Sequence, residues 1–164
     1  MENSLFQFVL TLADDALIIG HRLSEWAYRA PFLEEDIALS NISLDMFGRA
    51  NMLLEYAANI KNEKVTSDEL AFKRNEREYY NHLLCEQPNG HFGETIIRQF
   101  LFDSFYSLFL EELVKSSDKE LSAIANKSIK EVTYHFRHSS QWVIRLGDGT
   151  EESHNKMSMA LNKL

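Results

Sequence analysis

"SLFQFVLTLADDALIIGHRLSEWAY", residues 4–28, decides the fold class. Leu5, Val9, Leu12, Ala16, Ile19, Leu23 and Trp26 follow one another in steps of four and three, so on a helix they line one side. Phe6, Leu10, Ala13 and Leu17 make a second stripe on the other side. A helix apolar on two sides must be covered on two sides, which places it in the middle of a bundle or under a partner. Ser4 and Gln7 fit a capping box, and the pattern predicts a helix from about Ser4 to Tyr28. Asp14 and Asp15 break the apolar run, and no basic segment precedes it. The uncharged stretch from Asn3 to Ala13 is about half of the roughly 20 residues a spanning helix needs, so no signal peptide and no membrane segment are expected.

The same period continues along the chain. A second helix is expected from Glu34 to Ile60, with Leu39, Ile42, Met46, Leu53 and Ala57 on its main apolar face and Asn41, Asp45, Gly48, Met52 and Glu55 opposite. Thr66 and Glu69 form a capping box for a third helix, expected to run to Leu84. "EQPNG" (86–90) is turn chemistry, and a fourth helix follows from Gly93 to Lys115. Ser117 and Glu120 fit the cap of a fifth helix reaching Leu146, "GDGT" (147–150) stops it, and Glu151–Leu164 reads as helix again. No run of six residues alternates as a strand would. Long helices joined by short turns predict an all-α, up-and-down bundle, and 164 residues suffice for one domain spanning 1–164.

Bulk properties narrow the function classes. The formal charge is −8, from 17 basic and 25 acidic residues, which argues against a nucleic-acid or anionic-membrane binder. The single cysteine, Cys85, excludes an internal disulfide and a cysteine-built zinc site, and suits a cytoplasmic location. Given the acidic balance, the eleven phenylalanines and six tyrosines read as core and interface rather than a base-stacking platform.

Inward-pointing Glu and His in a bundle raise the carboxylate-bridged di-iron site, which takes one Glu from each of two helices and Glu-x-x-His from each of two others. Here Glu-x-x-His occurs once, at Glu151–His154, just after a turn where acidic residues are favoured in any case. Glu131 is followed at three by Tyr134, and the second helix offers Asn41 and Leu44 where Glu and His are wanted. Glu131, His135 and His138 share one side of the fifth helix and are the candidate metal ligands if another element adds a donor. Their wheel position, about 100° from the Val132, Phe136 and Val143 stripe, puts them on a flank and favours a surface or interface polar cluster over a metal site. Asp14, His21, Asn41, Asp45 and Glu55 are candidate interior or interface polar residues, which must be hydrogen-bonded if buried. Gly48, inside a helix, suggests close packing there. No nucleophile motif and no phosphate-binding loop is present.

Three stretches carry a resemblance: "DIALSNISLDMFGRANMLLEYAA" (36–58), "DELAFKRNEREYYNHLLCEQPNGHFGETIIRQFLFD" (68–103) and "AIANKSIKEVTYHFRHSSQWVIRLGDGTEESHNKMSMALNKL" (123–164). In this order they resemble the structural C subunits of bacterial phenylacetyl-CoA epoxidase, the ring 1,2-phenylacetyl-CoA monooxygenase. The resemblance implies a ferritin-like bundle without catalytic or cofactor-binding residues of its own. It implies a catalytic A subunit as partner, carrying the di-iron centre. It also implies a flavin and iron–sulfur reductase using NADPH. The expected assembly is a hetero-oligomer, or a homodimer when the chain is alone. Members of that family continue with further helices after the position of Leu164, so the chain is expected to be shortened at its C-terminus. The alternative left open by the residues themselves is a stand-alone metal-binding or oxidase bundle using Glu131, His135 and His138.

Overall fold

The computed structural model describes residues 2–61 and 64–164, with the side chains of residues 2 and 3 left aside. Every regular element among the described residues is helical: α1 (Glu2–Ser24), α2 (Leu33–Lys61), α3 (Ser67–Phe72), a 3-10 turn (Glu76–Glu78), α4 (Leu83–Glu86), α5 (Phe92–Leu113), α6 (Lys119–Gly147) and α7 (Glu151–Lys163). Contacts divide the chain into two compact units, Met1–Glu86 and Gln87–Leu164.

In the first unit α1 and α2 pair antiparallel. Ser43 Oγ donates to Gly20 O at 2.8 Å, and the Lys61 ammonium lies 5.6 Å from the Phe6 ring centre. The apolar stripes of α1 are buried apart from the half-buried Leu5, with Trp26 buried just after the helix ends, as are Leu39, Ile42, Met46, Leu53 and Ala57 of α2. The glycine that permits close approach is Gly20, where a Cβ would sit 2.9 Å from the Phe47 ring. Gly48 is exposed, and a Cβ there would meet nothing within 4 Å among the described residues of its unit. Over Ser4–Ser24, α1 is long and apolar enough to cross a membrane, yet more than half of that window is buried in the structure.

The third predicted helix is broken. Its Thr66–Glu69 capping box forms, but α3 ends at Phe72. Arg74 then turns back, its Nη1 donating to Asp14 Oδ2 at 2.9 Å and to Glu78 O at 2.9 Å. Tertiary partners on α1 thus satisfy this segment in place of its own helical ladder, which overrides local propensity.

The second unit is built on α5 and α6, again antiparallel, with Phe100 and Phe136 stacked at 5.7 Å and Phe92 edge-on to Trp142 at 5.2 Å. Asp118, not Ser117, caps α6, its carboxylate accepting from Glu120 N and Leu121 N at 3.0 Å each. The "EQPNG" turn is tied to α5 by the buried Arg98, which donates to Gln87 O at 2.6 Å and Asn89 Oδ1 at 2.8 Å. Gly90 has φ +59°, the left-handed region that favours glycine. Against this pair α7 buries Met157 and Ala160, beside Ile97.

Candidate functional site

The inward side of α6 mixes apolar and polar residues. Leu121, Ile124, Ala125, Ser128, Val132, His135 and Ser139 are buried, whereas Phe136 of the apolar stripe is exposed and Val143 half-buried. Polar residues therefore occupy the seam, and α5 answers them with Gln99 and Asp103, also fully buried. Gln99 Nε2 donates to Asp103 Oδ1 at 2.7 Å, and Ser139 Oγ donates to Asp103 Oδ2 at 3.0 Å. Both carboxylate oxygens are thus engaged, one from the same helix and one from the facing helix.

This centre was only partly foreseen. His135, one turn before Ser139, is fully buried, while Glu131 and His138 are half-buried, so the three do not form a surface cluster. The missed members, Gln99 and Asp103, had a signal: two polar residues four apart in the Phe- and Leu-rich α5, the spacing that puts them on one face.

A second polar group lies in the first unit. Asp14 and Asp15 on α1 are both fully buried. Asp14 accepts from both terminal nitrogens of Arg74, one of them at 2.9 Å, and from Tyr80 N at 2.9 Å. Asp15 accepts from His82 N at 2.7 Å, lies 2.7 Å from His82 Nδ1, and receives Cys85 Sγ at 3.4 Å. The other candidates on α1 and α2 are placed differently. His21 is exposed, edge-on to Phe47 at 5.0 Å. Asn41 is exposed and Asp45 half-buried, and Glu55 is exposed and accepts from Asn51 Nδ2 at 2.9 Å.

These donors do not fit a carboxylate-bridged di-iron centre. The α1 carboxylates are committed to the Arg74–Cys85 segment, and that of Asp103 to Gln99 and Ser139. His154, of the one Glu-x-x-His, places Nδ1 2.8 Å from Gly147 O and helps to end α6. Among the described residues no three His, Cys, Asp or Glu side chains gather so as to hold a metal ion. Two clefts among the described residues lie away from the polar centre. One of about 350 Å³, lined by Leu17, Phe47, Leu54 and Phe72 among others, lies in the first unit. One of about 340 Å³ lies between the starts of α5 and α7. Neither is lined by Gln99, Asp103, His135 or Ser139. The arrangement orients the two helices and holds a polar interior between them.

Comparison with known proteins gives a model match over residues 1–164 to the family described as phenylacetic acid catabolic protein. The chain belongs to that family. Its all-helical structure agrees with the all-α, ferritin-like class of the phenylacetic acid catabolic proteins. A curated relative, the C subunit of 1,2-phenylacetyl-CoA epoxidase from Escherichia coli (strain K12), is 47% identical over 162 residues. The match covers 99% of this chain and 65% of the relative's length.

Proposed function

We propose that this chain acts as a non-catalytic structural subunit of a phenylacetyl-CoA ring-epoxidising oxygenase in aerobic phenylacetate degradation. The observation that carries the reading is the similarity of nearly the whole chain to the C subunit of such an epoxidase. The engaged carboxylates of Asp14, Asp15 and Asp103 support a role in holding structure rather than iron. In this reading the di-iron centre belongs to the catalytic A subunit. Flavin, an iron–sulfur cluster and NADPH belong to the reductase, and the assembly works in the cytoplasm. Exposed Leu33, Ile37 and Leu44 on α2, and Phe105 and Leu108 on α5, give apolar surface of the kind that a partner subunit covers.

The test is co-expression with the neighbouring catalytic subunit, followed by capture of one chain and metal analysis of both. The expected result is a stable complex whose iron follows the catalytic chain. Stoichiometric iron or zinc in this chain alone, lost in His135→Ala, would overturn the reading and favour a metal-binding bundle.

A further inference from the structure

The segment from Lys73 to Glu86 plays no part in the proposed function, and it is held in an unusual way. Apart from the 3-10 turn and the four residues of α4, it has no regular structure. Cys85 is its one buried residue, and Tyr80 and Leu83 are exposed, so little apolar area attaches it to the rest of the first unit. Tyr79 Oη and Arg74 Nε donate to Ala71 O and Leu70 O of the adjoining α3, and what attaches the segment to α1 is polar and centred on two adjacent carboxylates. Arg74 and Tyr80 N reach Asp14, and His82 and Cys85 reach Asp15. At its far end Arg22 Nη2 donates to Glu86 O at 2.7 Å.

We propose that residues 73–86 form a strap that swings off α1 as one piece while α1 and α2 stay paired, and that Asp14 and Asp15 are its latch. The strap carries its own stiffening. Arg74 lies 4.1 Å from the Tyr79 ring centre and donates to Glu78 O, and Asn75 N donates to Glu78 Oε2 at 2.6 Å. By contrast the α1–α2 pair is knit by fully buried Val9, Ile19, Leu39 and Ile42. Segments with few buried apolar contacts open at lower cost than a packed core, and do so as cooperative pieces. The charges favour the same division. When the strap leaves, Asp14 and Asp15 meet water and are solvated, so no ion is stranded in an apolar interior.

Cys85, the single cysteine of the sequence, reports the opening, since its buried thiol meets a reagent when the strap is off. The experiment follows labelling of the full chain by excess dithiobis(nitrobenzoate) under native conditions and in rising urea, beside global unfolding measured by circular dichroism. Labelling is expected at least about tenfold faster than global unfolding, with a weak dependence on urea. Asp14→Asn, which does not touch Cys85, is expected to raise the labelling rate by about tenfold more while the helical signal is kept. Wild-type labelling that tracks global unfolding in rate and urea dependence overturns the strap. An unchanged labelling rate in a folded Asp14→Asn overturns the latch. Should that variant fail to fold, the wild-type urea dependence decides by itself.

Discussion

Ser139 Oγ on α6 donates a 3.0 Å hydrogen bond to Asp103 Oδ2 on α5, and both residues are completely buried. With Gln99 on the other oxygen, the carboxylate pins two long helices together where a bundle ordinarily places a leucine. Ser139→Ala removes the donor and leaves a buried acceptor short of a partner. The expected loss is about 1–3 kcal/mol in urea denaturation of the isolated chain. A variant as stable as the parent would show that the pin contributes nothing.

Arg74 and Asp14 pose the same question with full charges. Arg74→Leu leaves Asp14 buried with the Tyr80 N–H, and is expected to cost about 3 kcal/mol because a buried charge loses its counter-ion. Replacing both residues by leucine removes that charge as well. The double variant is therefore expected to be more stable than Arg74→Leu, and ordering the two by thermal melts decides it.

Acidification tests the cap of α3. The Lys73 ammonium, 2.9 Å away, holds the Glu69 carboxyl below its ordinary value, and the hydrogen bond from Thr66 N adds to the effect. A group lowered on folding contributes fully above its unfolded value, and that contribution is lost as pH falls through the lower folded one. In a pH titration followed by nuclear magnetic resonance, Glu69 is expected to titrate below a free glutamate. Lys73→Ala is expected to move it back up. Titration of Glu69 at the ordinary glutamate value in the parent would contradict the pairing.

Two helical glycines should respond with opposite sign. At Gly20 an added Cβ would lie 2.9 Å from Phe47 Cε1 and 3.3 Å from Met46 Cβ, so Gly20→Ala is expected to destabilise by about 1–3 kcal/mol. At Gly48 it would meet nothing within 4 Å, so Gly48→Ala is expected to stabilise the isolated chain by about 0.5–1 kcal/mol. Denaturation midpoints of the two variants against the parent check both signs.

Periodicity was a good guide where a helix is apolar on the sides it buries. Both stripes of α1, apart from the half-buried Leu5, and the main face of α2 lie in the interior as their spacing predicts. It was a partial guide on α6, where Val132 of the stripe is buried but Phe136 is exposed and Val143 half-buried, while Ser128, His135 and Ser139 are buried. Ser139 of that seam is satisfied by Asp103 on α5, 36 positions away in sequence. The broken third helix has the same origin. Nothing between Phe72 and Leu83 is a strong helix breaker, and the strap exists because Asp14 and Asp15 compete for its donors.

The amino-acid order by itself determined that this chain is helical, where its long helices lie and which family its motifs resemble. Those properties rest on near-neighbour spacing, and spacing is local. The tertiary structure decided which acidic residue meets which donor: Asp14 with Arg74, Asp15 with His82, Asp103 with Ser139. Such pairs join positions 36 to 67 residues apart, and a buried carboxylate acquires its partner only when packing has brought two distant segments together.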